Sequence, residues 1–370
     1  MTKSDLTDQR IRSRHERLRI RLSDLGGDAL VVPHLPDIGY LSGFTGSNGL
    51  LIFTAGNQGK ATLLTDSRYT IQAHGETSNV EVRISRKPLF AEAGALLARA
   101  RSSQKVLYPP GQLTVGQFAQ LRKAAGKRTR WKEATGLVAG LRSVKDEQEL
   151  SVIKEAADVA SEVFSDVLPL IRPGLLEDEL SAEIEYRMRR RGASGPAFET
   201  IVASGARSAL PHARPTLKPI SKNELVVLDL GAILRGYCSD MTRTVFVGHA
   251  PRRVREWYRA VLEAQAAAIR AVRSGIMAGD VDAAARRVLH KHRLARLFTH
   301  STGHGLGMEV HEPPRLGRGE KTRLTAGNVI TIEPGVYLEG VGGIRIEDDV
   351  VVTATGSETL TSATKEFIEI

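Results

Sequence analysis

In the first third of the chain, apolar residues fall into short runs separated by stretches with helical spacing. Ile11 to Leu25 places its apolar residues on one helical face, and Asp28 to Pro33 reads as a short buried strand. Gly49 to Thr54 and Ala61 to Thr65 are strand-like, and Val80 to Ile84 alternates. Ala91 to Arg101 is helical, Val106 and Leu107 open another strand, and Val115 to Ala125 returns to helical spacing. Strands alternating with helices predict an α/β layer with a mixed sheet.

Ala124 to Arg130 is polar and basic with one glycine and marks the expected linker, which divides the chain into 1–132 and 133–370. Beyond it, Ser143 and Asp146 form a Ser-x-x-Asp start, followed at helical spacing by Leu150, Ile153, Ala157, Ala160 and Phe164. Further helices are predicted over Glu177 to Arg191, Arg252 to Ser274 and Val281 to His292. The strands of this half are expected at Leu225 to Ala232, Tyr237 to Val247, Val329 to Glu333 and Gly343 to Thr353. Helices and antiparallel hairpins in separate groups indicate an α+β class.

Composition narrows the setting. With 370 residues, the chain is long enough for two domains. Hydrophobic residues at 41% and charged residues at 25% exclude wholesale disorder. The formal charge of +10 invites a polyanion partner, but the dense arginines (Arg187 to Arg191, Arg252 to Arg255, Arg286 to Arg296) interleave with apolar residues at helical spacing. They read as solvated helix faces, and no finger, RNP-like or basic-zipper pattern accompanies them. A single cysteine allows no intrachain disulfide, so no oxidising compartment is required. The first residues lack the apolar core of a signal peptide, and no run of about 18 apolar residues predicts a membrane span. A cytoplasmic location is the expectation.

Chemistry enters with acids placed inside apolar strands. Asp229 closes the run Leu225-Val-Val-Leu, and Asp240 follows eleven residues later in Cys238-Ser-Asp-Met-Thr-Arg-Thr. A two-residue loop at Leu234-Arg235 would set the two carboxylates opposite one another, with Cβ atoms ~4.5–5.5 Å apart. A bulge at Gly236 would shift that register. Two buried carboxylates that close repel, and one keeps its proton unless a cation lies between them. Hydrogen-bonded turn aspartates are the plainer reading of this pair taken alone. The pattern repeats, however: Glu333 ends Val329-Ile-Thr-Ile, and Glu347 ends Gly343-Ile-Arg-Ile.

Between the two pairs runs a histidine-rich loop, His300-Ser-Thr-Gly-His304-Gly-Leu-Gly-Met-Glu-Val-His311-Glu-Pro-Pro. It has neither the glycine order of a dinucleotide loop nor the second histidine of a zincin helix. Read with the acids, His304 is one nitrogen donor beside four carboxylates. Such a set suits a pair of divalent cations, Mn²⁺, Co²⁺ or Zn²⁺, and the many oxygens lean toward Mn²⁺. Two divalent cations bring +4 against −4 from Asp229, Asp240, Glu333 and Glu347. Cys238, two residues from Asp240, has no partner histidine in its motif and is expected as a small buried side chain.

These motifs resemble, in order and spacing, the metal-ligand motifs of the pita-bread metallopeptidases of the creatinase and prolidase type. Pro211-His212-Ala-Arg-Pro-Thr, preceded by Phe198-Glu-Thr-Ile-Val-Ala-Ser-Gly, is similar to the proline-peptidase branch. So are Tyr40-Leu-Ser-Gly-Phe-Thr-Gly-Ser-Asn-Gly and Thr65-Asp-Ser-Arg-Tyr in the amino-terminal half. Ala363 stands where the family often has proline before Lys-Glu.

The resemblance implies a pita-bread catalytic domain, an antiparallel sheet covered by helices, after a smaller α/β creatinase-like domain. It implies that Asp229, Asp240, His304, Glu333 and Glu347 hold two metals and that Glu333 also accepts a proton from the attacking water. His212 and His311 would hydrogen-bond the scissile carbonyl, and Phe198, Leu210, His300, Val310 and Arg345 would line the proline pocket. The activity it implies is release of an N-terminal residue preceding proline, an Xaa-Pro aminopeptidase. The alternative is an Xaa-Pro dipeptidase, which needs a cation for the substrate's free carboxylate. A non-catalytic binding protein is the remaining reading, disfavoured because all five ligand positions are filled. A homodimer is implied as well.

Overall fold

The computed structural model describes residues 3–56, 60–100 and 102–370, with side chains from residue 8 onward. The chain forms two compact units, 1–142 and 143–370. The boundary thus falls ten residues later than the expected 132/133. Ala124 to Arg130 is no linker: Ala125 ends the Val115–Ala125 helix, and Thr129–Glu133 is a strand parallel to Gln104–Tyr108. That strand is an edge of its sheet. Its exposed Arg130 and Lys132 are the charges that discourage further pairing at an edge.

The first unit is the expected α/β layer. Its six-stranded mixed sheet has the order Val80–Ile84, Ala61–Thr65, Leu50–Thr54, Ala29–Val32, Gln104–Tyr108, Thr129–Glu133. The central strands, buried along most of their length, explain the short continuous apolar runs. One helix, Leu89–Leu97, lies near the expected 91–101, and Arg101 itself is outside the described residues. The Leu35–Ser42 helix was not legible, being short and ended by Gly43 at φ 83°.

The second unit is antiparallel throughout its sheets and carries two helix pairs. Glu147–Val167 and Glu177–Arg190 bury Val163, Phe164, Leu180, Ile184 and Met188 against Val202, Val226, Leu228, Met241 and Val245. Arg252–Ala271 and Ala278–Lys291 bury Trp257, Val261, Ala264, Val281, Ala285 and Leu289 against Ile330, Ile332, Val336, Ile344 and Val350. Each large side chain fully buried in this way contributes about 1.5–3 kcal/mol. The first of these helices is capped by Asp146 and Glu149 in a reciprocal box, so the cap lies three residues after Ser143.

The hairpin that carries the first two acids differs from the expected register. Arg235 (φ 48°) and Gly236 (φ 82°) form its two-residue turn, both in the left-handed region that such hairpins require. The loop is therefore shifted one residue from Leu234-Arg235. Asp229 pairs with Thr242, and Met241 with Leu230, so Asp229 and Asp240 are not directly opposite.

Candidate metal centre and substrate cleft

Asp229 lies at the end of the Glu224–Leu230 strand and Asp240 just before Met241–Val247. His304 sits on the short Gly303–Gly305 strand, Glu333 just after Val329–Ile332, and Glu347 between Gly342–Arg345 and Asp348–Val352. All five line one cleft of about 700 Å³. Donor atoms of Asp240, His304 and Glu347 lie within 4.8 Å of one another, close enough to share one cation. His304 Nε2 stands 3.6 Å from Asp240 Oδ2 and 3.6 Å from Glu333 Oε1.

The environment of these groups is that of an uncompensated cluster. Burial, then repulsion from Glu347 and Asp229, pushes the Asp240 carboxyl well above the ordinary range. Burial and the neighbouring Glu333 and Asp229 do the same to Glu347. Burial lifts Glu333 to about 7, although Arg345 opposes the shift. Asp229 Oδ1 is buried with no hydrogen-bond partner among the described residues, while its Oδ2 accepts from Arg345 Nη2 at 2.6 Å. Four carboxylates, one of them with an orphaned oxygen, are a donor set that divalent cations satisfy.

His304 is oriented for the same purpose. Its Nδ1 lies 3.0 Å from the Gly305 carbonyl, which can only accept, so Nδ1 carries the proton and the Nε2 lone pair faces the acids. Burial lowers its pKa to about 4, keeping the ring neutral. The flanking glycines serve close strand packing: a Cβ on Gly303 would lie 1.9 Å from the Thr331 carbonyl oxygen, and one on Gly305 2.3 Å from that of Pro313.

Arg345, expected as a pocket wall, is almost wholly buried and is also the support for the first acid. Besides Asp229, it donates Nε to Thr242 Oγ1 at 2.9 Å and Nη1 to Tyr337 Oη at 2.8 Å. The tyrosine hydroxyl lies 2.9 Å from His300 Nε2, and His300 Nδ1 lies 2.8 Å from the Ser301 carbonyl. With Nδ1 donating, Nε2 accepts the tyrosine proton, so His300 is held neutral; burial takes its pKa down to about 4.

Phe198, His212, His300, Val310, His311 and Arg345, the residues the resemblance singles out, all line the cleft. Leu210 does not: it ends the Gly205–Ala209 turn and points to solvent, 52% exposed, and Pro211 takes the wall position. His212 and His311 stand at exposed positions of the rim, and the His311 ring is 4.3 Å from that of His304. Cys238 is buried, its thiol directed at the Met308 carbonyl.

Several supporting residues escaped the sequence reading. Tyr337 belongs to a strand, Gly335–Leu338, that carries no strong alternation. Thr242 donates to Glu347 Oε2, and Thr331 accepts the His304 N–H at 3.1 Å. Asp349 Oδ2 accepts the Asp240 N–H at 3.0 Å. Arg315 lines the cleft opposite His304 in the strand pairing, with Nε donating to Ser301 Oγ at 3.0 Å. The signal for Thr331 was its place in a strand otherwise fully apolar, and for Thr242 the run of three polar residues in a buried strand.

Comparison with known proteins agrees with this architecture. Residues 151–354 match the metallopeptidase family M24, and residues 14–144 match the creatinase/prolidase N-terminal domain. The chain therefore belongs to the M24 metallopeptidases, a family whose activity implies divalent metal ions, and has their pita-bread catalytic fold. It is 36% identical over 342 residues to an Xaa-Pro dipeptidase of Pyrococcus horikoshii, covering 92% of this chain and 94% of that one. An Xaa-Pro dipeptidase structure from Bacillus anthracis superposes with a TM-score of 0.92 at 35% identity, covering 97% of this chain and all (100%) of the other. An X-Pro aminopeptidase structure from Thermotoga maritima gives 0.86 at 35% identity, with 95% and 100% covered. Among the described residues no helix is long and apolar enough to cross a membrane.

Proposed function

We propose that the protein is a metal-dependent exopeptidase acting on an Xaa-Pro bond, and that dipeptides are its substrates. The observation that carries the dipeptide reading is Arg315, a cation in the cleft wall opposite His304 and tethered to Ser301. A dipeptide leaves a free carboxylate one residue beyond the scissile bond, and a charge-assisted hydrogen bond from a guanidinium recognises it. The Pyrococcus and Bacillus relatives named Xaa-Pro dipeptidases support the same choice. The aminopeptidase reading keeps its own support in the Thermotoga structure at equal identity.

Asp229, Asp240, His304, Glu333 and Glu347 would hold two divalent cations, with Mn²⁺ favoured by four carboxylates against one imidazole. When bound, such a pair acidifies water and polarises a carbonyl. Glu333, as general base, accepts the proton of the attacking water at a carboxylate oxygen and returns it to the prolyl nitrogen as the peptide bond breaks. His212 and His311 donate to the carbonyl oxygen as negative charge develops on it, the stage at which such bonds strengthen. Phe198, Val310 and the His300 ring offer the largely apolar surface a proline ring fills, and no acceptor is needed there for the N–H that proline lacks. A homodimer in the cytoplasm completes this reading and is checked by sedimentation.

The deciding assay compares Ala-Pro, Ala-Pro-Ala and Ala-Ala with Mn²⁺ added, for the wild type and Arg315→Met. The expected result is Ala-Pro cut fastest, and Arg315→Met losing about 10–100-fold in kcat/KM on Ala-Pro alone. Ala-Pro-Ala cut as fast as Ala-Pro, and unaffected by Arg315→Met, would favour the aminopeptidase. Equal rates on Ala-Ala would remove the proline specificity.

A further inference from the structure

The segment that carries His212 leaves the sheet at Ser204 and runs to Thr216, with one 3-10 turn, Gly205–Ala209, inside it. Both of its ends are tied to one carboxylate. Glu177, the first residue of the Glu177–Arg190 helix, is fully buried and does not line the cleft. Its Oε1 accepts the Ser204 N–H at 2.8 Å and the Ser204 hydroxyl at 2.8 Å. Its Oε2 accepts the Thr216 N–H at 3.2 Å and the Thr216 hydroxyl at 2.8 Å. Arg207, within the segment, donates Nε to the same Oε2 at 3.0 Å and Nη2 to the Arg214 carbonyl. Lys218 braces the outside, donating to Ser204 Oγ at 2.7 Å and Glu224 Oε1 at 2.8 Å.

At the middle of this segment the His212 side chain has no hydrogen-bond partner among the described residues. The position of its ring is therefore set by the backbone that carries it. Toward the cleft that backbone is held by Arg345, which donates to the Pro211 carbonyl at 3.2 Å, and by Ser208, which accepts the Gly343 N–H at 2.9 Å. On the other side it is held by the Glu177 clamp. Fixing each residue's backbone costs conformational entropy, so a segment of this length keeps one conformation only where strong ties converge. A buried carboxylate with five donor groups around it is such a tie.

We propose that Glu177 is a positioning residue for the reaction: by clamping both ends of the 204–216 segment it sets where His212 stands at the cleft. The proposal rests on the reading that His212 contacts the scissile carbonyl. Its test uses the full-length, Mn²⁺-loaded protein with Glu177→Gln, which turns one acceptor into a donor facing other donors. Thr216→Val removes one tie to Glu177, together with the acceptor of the Lys218 N–H, and stands in if Glu177→Gln does not fold.

Misplacing a reacting contact by a fraction of an ångström to an ångström costs up to about 100-fold, so Glu177→Gln should lower kcat on Ala-Pro by about 10–100-fold. Thr216→Val, losing one hydrogen bond to Glu177 and the one its hydroxyl accepts from the Lys218 N–H, should lower it by about 2–10-fold. Mn²⁺ affinity measured by calorimetry should be unchanged, and amide exchange across 205–216 should quicken. In a His212→Ala background neither substitution should lower kcat further. Wild-type kcat in both variants, or an equal loss in the His212→Ala background, overturns the clamp. Wild-type turnover in His212→Ala alone overturns the catalytic reading of His212 and the proposal with it, a result separable from failure of the clamp.

Discussion

Stripping the metal from this protein should make the catalytic unit less stable as pH rises above neutrality, the reverse of ordinary acid denaturation. Glu333, lifted by burial to about 7 from an ordinary 4.5, holds a proton in the folded apo state that the unfolded chain has already released. The stability this proton confers is complete below the unfolded value and is lost as pH rises through the folded one. His300 and His304 act oppositely, since their lowered values lose stability as pH falls from 6.5 toward about 4. Near pH 6.5 the unfolded rings are still half protonated, so their opposing contribution fades only by about pH 7.5, above which the carboxyls decide the slope. Between about pH 6.5 and about pH 8, Glu333 by itself removes about 1 kcal/mol, which the two rings offset in the lower part of that window. Asp240 and Glu347, also raised by burial and by repulsion among the acids, steepen the decline for as long as they keep their protons. Urea unfolding followed by tryptophan emission gives the measurement. Trp131 and Trp257 are the two tryptophans, and Trp131→Phe leaves the buried Trp257 as reporter of the second unit. With saturating Mn²⁺ the acids are ionised in the folded state and this decline should vanish. An apo stability that is flat or rising from about pH 7.5 to about pH 9 would refute the reasoning, because the cluster would then be compensated without a cation.

Glu333→Gln keeps the size of the side chain but removes the base, and should lower kcat by ~10²–10⁴-fold with metal content reduced as well. Wild-type kcat at saturating metal would place the base elsewhere. Asp348→Ala should destabilise the second unit by about 3–5 kcal/mol, since it leaves the buried Arg243 guanidinium without its counter-charge. Asp348 accepts from Arg243 at 2.7 Å, Gln265 at 2.7 Å and Lys365 at 2.6 Å. Denaturation midpoints check it, and a shift equivalent to under about 1 kcal/mol would show the pair to be worth no more than a surface bridge.

Local pattern carried most of the fold. The Glu147–Val167 helix is legible because its apolar positions recur every three or four residues behind a capping box. The Ala61–Thr65 and Val115–Ala125 elements have the ends their runs suggest. What failed depends on information one residue wide or on distant partners. The Asp229 hairpin turns at Arg235-Gly236 because glycine is needed at the second left-handed position, and reading the turn one residue early misaligned both acids. The domain boundary was misread because a charged edge strand has the composition of a linker. Leu210 was placed in the pocket by resemblance, whereas a turn just before it sends the side chain outward. Tyr337 and Asp349 act through residues far away in sequence, and no spacing rule links them to His300 or Asp240.

The most informative violation of pattern was Met241–Val247, a fully buried strand whose first half reads Met-Thr-Arg-Thr. A strand facing only apolar layers has no use for three polar side chains in a row. Here each one bonds across to the chain that carries Glu347. Thr242 donates to the Glu347 carboxylate, and its carbonyl accepts the Glu347 N–H at 3.1 Å. Thr244 donates to the Arg345 carbonyl at 2.9 Å and accepts its N–H at 3.1 Å. Arg243 donates Nη1 to the Glu347 carbonyl at 2.6 Å, Nη2 to Asp348, and Nε and Nη2 to the Thr364 and Ala363 carbonyls. This strand is thus a seam, through which the sheet under the first helix pair is joined to the chain packed under the second. Asp229 and Asp240 come from one side of it, and His304, Glu333 and Glu347 from the other. An acid cluster of this kind repels itself without cations, so it holds its geometry only where both sides are locked by bonds independent of the cluster. The polar seam supplies that lock, and a substitution there should loosen the metal site without removing any of its ligands.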